Sequence, residues 1–293
     1  MKIAVIDIGG TTIKAGIVEN GIISNYTEYP TNAEQGGIAL MEWCCKIISE
    51  IGRFDCISVS TAGQVNPHSG VIIYANENIP RYTGIHVGDI LQERFKVPVF
   101  VENDVNAAAL GEGMYGAGKN FDNFLCLTYG TGVGGAIVNN KKIFHGTSFS
   151  ASEFGHMITH VGGAKCGCGG YGCYEQYAST TALVRAAKAL DPCLDNGRTI
   201  FSHIDESPVR QIIDNWIGEI AVGIVSLIHI FNPPCVVVGG GIMAENYIIE
   251  NLKKLVSNQI MKSFSCIEIK QAELGNKAGL MGAAHLAELK VKS

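Results

Sequence analysis

Positive charge is scarce in this chain and nowhere concentrated. It carries 22 Lys+Arg against 27 Asp+Glu, a formal net charge of −5, with no basic run on any one segment. Binding nucleic acid through its phosphates requires a positive footprint, so that class of function is excluded. Long apolar runs are missing as well. Met1-Lys2 leads into Ile3-Ala-Val-Ile6, which is too short for a signal-peptide core and stops at Asp7. The longest apolar stretch, Ile220 to Phe231, is interrupted by Ser226 and His229 and falls short of the roughly 20 residues that span a bilayer. We therefore expect a soluble, cytoplasmic protein with no membrane partner. Two nucleotide-binding patterns are absent too. There is no Gly-x-x-x-x-Gly-Lys-Ser/Thr loop, and the first strand is not followed by Gly-x-Gly-x-x-Gly with an acidic residue about twenty positions on.

What is present is a long, well-packed chain. At 293 residues it exceeds a single ordinary core, and 47% hydrophobic with 17% charged residues describes a globular protein. The first segment reads as the strand Ile3-Ala-Val-Ile-Asp-Ile8, the turn Gly9-Gly10-Thr11-Thr12, and a second strand from Ile13 to Val18. The hairpin signal Asn20-Gly21 and a third apolar segment from Ile22 follow. The pattern recurs as Phe124-Leu-Cys-Leu-Thr, Tyr129-Gly-Thr-Gly-Val-Gly-Gly135 and Ala136-Ile-Val, with Asn139-Asn140 as its turn. A repeat at domain-sized spacing predicts two similar α/β halves facing each other. Between and after the repeats, helices are predicted over 36–51, 87–95, 174–190 and 278–289, and strands over 56–60, 97–101 and 235–238. A longer helix has Ser207 as N-cap and Pro208 at its first position, and ends at Asn232-Pro-Pro234. The domains expected are 1–118 together with the C-terminal helix (about 278–293), and 119–277 with the cysteine-rich loop.

That loop is the run Cys166-Gly-Cys-Gly-Gly-Tyr-Gly-Cys173, with Glu153-Phe-Gly-His156 shortly before it. Three thiols and an imidazole supply the ligands of a tetrahedral zinc, and the glycines let backbone fold tightly around an ion. Four of the eight residues from Cys166 to Cys173 are glycine, poor material for an apolar core. A disulfide is the competing reading, against which a reducing cytosol argues. Four ligands leave no open position, so the zinc is expected to be structural. The other seven cysteines (44, 45, 56, 126, 193, 235 and 266) sit in apolar or helical contexts and read as inert core residues.

Each glycine-threonine turn directly follows a buried strand, where successive N–H groups can point at phosphate oxygens. A bare hairpin uses glycine too, but two such turns related by a repeat favour phosphate. A third cluster, Gly239-Gly-Gly241, opens a strand-to-helix crossing where an adenosine could lie against backbone. Asp7, beside the first turn, could hold magnesium through water or could simply shape the turn. In Glu102-Asn103-Asp104, Asn103 or Asp104 could merely cap the next helix; alternatively Asp104 is a general base with Asn103 binding substrate beside it. Local sequence leaves that choice open.

Taken in order, Asp7-Ile-Gly-Gly-Thr-Thr12, Glu102-Asn-Asp104, Gly130-Thr-Gly-Val-Gly-Gly135, Glu153-Phe-Gly-His156 and Cys166-Gly-Cys-Gly-Gly-Tyr-Gly-Cys-Tyr-Glu175 resemble the ROK family (repressors, open-reading-frame proteins and sugar kinases) over essentially the whole chain. The resemblance implies two actin-like, hexokinase-like (ribonuclease H-like) α/β domains with a cleft between them for ATP and a sugar. It implies Asp104 as the base that takes the proton of the sugar 6-hydroxyl. Asn103, Glu153, His156 and Glu175 would bind sugar hydroxyls, with Gly63 and Asn78 as weaker matches. Asp7, Gly9, Gly10, Thr11, Thr12, Lys14, Gly130, Thr131, Gly132, Gly240 and Gly241 would serve ATP and magnesium. His156, Cys166, Cys168 and Cys173 would ligate zinc. The family often has Pro-Gly where this chain has Ala62-Gly63, and a Gly-aromatic pair near Arg81-Tyr82, departures that bear on the sugar rather than the reaction. The expectation is an ATP-dependent hexose kinase, glucose first, with N-acetylmannosamine, another N-acetylhexosamine or fructose as alternatives, and a homodimer or homotetramer. Family repressors carry a helix-turn-helix ahead of the first phosphate motif, which here begins at Asp7; a catalytically dead sugar binder would not need the nucleotide machinery.

Overall fold

A computed structural model describes residues 1–291. Contacts divide the chain into two compact units: Met1–Asp122 with Ile137–Ala151 and the segment from Asn276 onward, and Asn123–Ala136 with Ser152–Gly275. The segment 137–151, which the sequence groups with the second domain, thus belongs by its contacts to the first.

In the first unit the strands β1 (Lys2–Ile8), β2 (Thr12–Glu19), β3 (Ile22–Pro30) and β4 (Cys56–Thr61), a small hairpin β5 (Gln64–Asn66) and β6 (Val71–Tyr74), and β7 (Val99–Asn103) alternate with helices α1 (Gly37–Ile51), α2 (Val87–Phe95) and α3 (Asp104–Tyr115). The remaining strands are β8 (Phe124–Tyr129), β9 (Val133–Asn139), β10 (Lys142–Ile143), β11 (Cys235–Gly239) and β12 (Glu268–Gln271). They accompany helices α4 (Glu175–Ala178), α5 (Thr180–Leu190), α6 (Gly197–Ser202), α7 (Ser207–Phe231), α8 (Asn246–Gln259) and α9 (Ala278–Val291). The two five-stranded sheets have the orders β3-β2-β1-β4-β7 and β10-β9-β8-β11-β12. Renumbered within each half, both are 3-2-1-4-5: an antiparallel hairpin beside strands added in parallel. The sequence repeat is therefore a repeat of topology. Both hairpin turns use left-handed residues, Asn20 (φ 52°) with Gly21 (φ 74°) and Asn140 (φ 51°) with Lys141 (φ 60°), the conformation whose twist matches the flanking strands.

Several boundaries differ from the sequence reading. The helix expected over 174–190 is two, because Ser179 is extended (φ −69°, ψ 160°) and accepts the Ala182 N–H as the cap of α5. Glu206, not Ser207, is the extended residue before α7, and it makes no side-chain cap. The strand expected over 97–101 runs from Val99 to Asn103. α8 and β12 are not foreseen. Cys193 and Cys266 are exposed in turns and Cys45 is half-buried, so only Cys44, Cys56, Cys126 and Cys235 of the seven are core residues. α7 is long and apolar enough to cross a membrane by composition, yet half of its most apolar window is buried. Ile213, Trp216, Ile217, Ile220, Ile224 and Ile228 pack inward, which makes it a core helix.

α9 lies on α3, β1 and β4 within the first unit. The crossing is close because it is built of glycine. A Cβ on Gly282 would fall 1.6 Å from the Ala107 carbonyl oxygen, and one on Gly111 would fall 2.5 Å from that of Ala278. A Cβ on Gly279 would lie 3.0 Å from Asp7 Oδ1. The Gly282→Val variant is therefore expected to lose about 2 kcal/mol or more of stability by overpacking at a backbone contact that cannot relax locally. Urea denaturation measures this; an unchanged midpoint would show that α9 can shift along α3.

Candidate active site and zinc loop

In the first unit, β7 delivers Asn103 to the N-terminus of α3. Its side-chain oxygen accepts the N–H groups of Val105 (2.9 Å) and Asn106 (3.1 Å), capping the helix. Its amide donates to the Gly63 carbonyl and to Asp104 Oδ1, both at 2.9 Å. Of the two residues of the Glu-Asn-Asp motif that could cap the helix, Asn103 is the cap, and Asp104 is the first helical residue. Both amide hydrogens and both lone pairs of Asn103 are taken within the protein, so a sugar hydroxyl binding there would replace one of these bonds. Desolvation and, secondarily, the charge of Asp7 push the Asp104 carboxyl up to about 7, against the pull of the Val105 N–H and the Asn103 amide.

Asp7 ends β1 beside the turn 9–12. Its Oδ2 lies 3.2 Å from Lys14 Nζ and its Oδ1 accepts from Ser60 at 2.6 Å. Ser60 is a contact that sequence reasoning missed: it is buried on the neighbouring parallel strand, in register with Asp7. The turn itself is held by the Gly9 N–H to the Thr12 carbonyl (3.1 Å) and by Thr31 Oγ1 to the Gly9 carbonyl (2.7 Å). A Cβ on Gly10 would meet nothing within 4 Å, so its surroundings are open to a ligand. Asn78 stands apart in an exposed turn, its backbone N–H donating to Asn76 Oδ1, and none of the bonds around Asn103 reaches it.

In the second unit the turn 130–132 is braced by Thr180, whose N–H donates to the Gly130 carbonyl (3.0 Å) and whose hydroxyl donates to that of Tyr129 (3.1 Å). Its glycines differ in kind. Gly130 and Gly241 face open space, whereas a Cβ on Gly240 (φ 110°) would lie 2.2 Å from the Tyr129 carbonyl oxygen. A Cβ on Gly132 would lie 2.5 Å from Glu175 Oε2. Gly132 is thus the seat of the Glu175 carboxylate, which the sequence alone does not show.

Glu153 and His156 are displayed by a short turn whose middle is buried: Phe154 packs on Gly135, and Gly155 packs on the Val133 carbonyl. Ser152, just before Glu153, holds φ 71°, a conformation unusual away from glycine and concentrated at functional sites. The donor atoms of His156, Cys166, Cys168 and Cys173 all lie within 4.8 Å of one another. Cys168 Sγ is 3.6 Å from Cys173 Sγ, and Cys166 Sγ is 3.7 Å from His156 Nδ1. Edges of about 3.5–3.8 Å follow from a tetrahedron with zinc–sulfur bonds near 2.3 Å and zinc–nitrogen bonds near 2.0 Å, so the cluster fits zinc. All ten cysteines are free thiols, which removes the disulfide reading. Glu175 Oε1 approaches Cys166 Sγ at 3.1 Å. Tyr174 anchors the loop: its buried hydroxyl joins Tyr129 Oη (3.0 Å) and donates to the Ile220 carbonyl (2.8 Å), and its ring occupies the space left by Gly223 on α7.

Paired α/β units of one topology, each carrying a glycine-threonine turn after its first strand, with a thiolate loop beside the second turn, define a hexokinase-like two-domain class. Comparison with known proteins makes the assignment specific. Residues 3–290 match the model of the ROK family. A Streptomyces coelicolor glucokinase is 34% identical over 96% of this chain and 96% of its own length. An uncharacterized Clostridium perfringens protein is 39% identical over 96% of this chain and 95% of its own. The crystal structure of a ROK family glucokinase from Streptomyces griseus, in complex with glucose and AMPPNP, superposes with a TM-score of 0.87 at 30% identity, covering 99% of this chain and 100% of that one. The chain belongs to the ROK family.

Protein purified without added metal is expected to carry one zinc per chain. Chelation should lower its melting temperature by several degrees, since metal binding in such loops is itself folding free energy. Elemental analysis and calorimetry test this; less than about a tenth of an equivalent of zinc in active protein would remove the structural-site assignment.

Proposed function

We propose that this protein transfers the γ-phosphoryl group of ATP to the 6-hydroxyl of a hexose, with glucose as the leading substrate. The observation that carries the reading is Asp104, a carboxylate poised near neutrality at a helix N-terminus and close enough to Asp7 to feel its charge. A carboxylate whose pKa is raised toward neutrality can take a hydroxyl proton as the oxygen attacks phosphorus. Phosphoryl transfer needs chiefly positioning and charge neutralisation, a load assigned here to the amides around Gly9, Gly10, Thr11 and Thr12, to Gly130, Thr131, Gly132, Gly240 and Gly241, and to Lys14. Asp7 would hold magnesium through water, and the ion would supply charge neutralisation at the phosphates. Glu153, His156 and Glu175 would bind sugar hydroxyls, with Gly63 and Asn103 bracing the base. Zinc would order the loop that carries His156 and Glu175 and take no chemical step. The relatives named glucokinase favour glucose; N-acetylmannosamine, another N-acetylhexosamine and fructose are the alternatives, differing by one substituent or centre. A coupled ADP-release assay over hexoses and N-acetylhexosamines decides among them, and no turnover on any of them would overturn the kinase reading.

Asp104→Asn is expected to abolish turnover while leaving sugar binding intact, a loss of about 10²–10⁴ in rate for a general base. In the wild type, kcat should rise with pH through about 7 as Asp104 ionises. Stability should move oppositely. Because the folded-state pKa is raised, the folded state holds a proton that the unfolded state releases between about pH 4 and 7, so ionisation of Asp104 destabilises the fold as pH rises through that window. The asparagine variant should therefore melt at least as high as wild type at pH 8 despite being inactive. A flat pH–rate profile with an active variant would reduce Asp104 to a helix residue.

Gly10→Val should raise the KM for ATP more than that for sugar, because the space it fills faces no protein atom. Gly132→Val should instead raise both, since its side chain would displace Glu175. Steady-state kinetics distinguish the two; an ATP-only effect from Gly132→Val would place Glu175 outside the sugar site.

A further inference from the structure

Glu102 precedes the Asn103-Asp104 pair, and its side chain is only 1% exposed. A buried carboxylate must be fully hydrogen-bonded. Oε1 accepts the Asn103 N–H and the Asn106 side-chain amide, each at 3.0 Å. Oε2 is met by His145 Nε2 at 2.8 Å, across 43 residues of sequence. His145 lies on a strap following β10 that is fastened beside the same pair. Phe149 sets its ring edge-on to both His145 and His68. Ser150 donates to Gln64, the neighbour of the Gly63 whose carbonyl holds the Asn103 amide. Nothing in the reaction assigned above uses either Glu102 or His145.

We propose that Glu102 and His145 form a positioning pair for the base. The Nε2–H of His145 fixes one carboxylate oxygen, and the other oxygen then fixes the backbone of Asn103 and the first turn of α3, which sets where the Asp104 carboxyl points. Neither residue touches the reacting atoms. Losing the His145 donor leaves a buried carboxylate oxygen without its partner, and Glu102 rotates toward whatever donor it can reach, taking the Asn103 N–H with it. This inference rests on the kinase reading with Asp104 as base.

The test uses the full-length protein with its best sugar. His145→Ala should lower kcat about 10- to 100-fold, the scale of a small misplacement of a catalytic group, while the KM for ATP changes by less than about twofold. His145→Gln, which offers an amide N–H in place of the imidazole, should recover kcat to within about threefold, and melting curves report whether each variant is folded. Wild-type kcat in His145→Ala overturns the proposal. So does an equal loss in both variants that tracks a fall in melting temperature, because the strap is then only structural. If Asp104→Asn itself remains active, the kinase reading fails instead, a result separable from either of these.

Discussion

The first unit is organised around a carboxylate held where water does not solvate it well. Asp104 sits at the end of a strand, at the start of a helix and within the field of Asp7, and these conditions leave it far easier to protonate than an ordinary aspartate. Such a group destabilises the fold whenever it ionises, so the surroundings must fix it by other means. They do so with neutral donors. Asn103 spends its whole amide on the helix cap, on Gly63 and on Asp104 itself, and the Val105 N–H adds a further bond. A cationic partner would have stabilised the carboxylate more and lowered its pKa.

Asp7 shows the opposite solution at short range. It is paired with Lys14 and bonded by Ser60, which keeps its carboxyl oriented beside the turn 9–12. Two carboxylates in one unit thus have different surroundings, Asp104 held by neutral donors and Asp7 by a lysine and a serine. Gly279 belongs to this arrangement, since its missing side chain is what lets α9 approach Asp7 and Ser60. The C-terminal helix is in that sense part of the site, though none of its residues carries a recognisable motif.

How much of this is legible in the sequence depends on the distance between partners along the chain. The first hairpin is readable because Asn20-Gly21 is a local signal, and the zinc loop because its ligands lie within eighteen residues; the second is readable to within one residue, since the turn expected at Asn139-Asn140 falls on Asn140-Lys141 and Asn139 ends β9. The helix ending at Asn232 is readable from the prolines that follow. Ser60, by contrast, lies 53 residues from Asp7, and His145 lies 43 from Glu102. Neither pair leaves a local pattern, since a buried serine on a strand and a histidine in a loop are each unremarkable until the sheet register brings their partners into reach. The break at Ser179 is hidden for another reason. Both sides of it have helical composition, and only the cap geometry separates α4 from α5.

The glycines make the same point in three dimensions. By sequence, Gly10, Gly130, Gly132, Gly240 and Gly241 are one class, residues in turns that follow strands. By surroundings they are two. Gly10, Gly130 and Gly241 have no protein atom within 4 Å of where a side chain would begin, so their surroundings are open. Gly132 and Gly240 press against Glu175 and the Tyr129 carbonyl, so their smallness keeps space for the protein itself. The turn that would cradle phosphate also seats the carboxylate that would bind sugar, and Glu175 in turn touches the thiolate loop through Cys166. Within the second unit, the 130–132 turn, the Glu175 carboxylate and the cysteine loop are therefore one packed assembly, Gly132 seating Glu175 and Glu175 meeting Cys166.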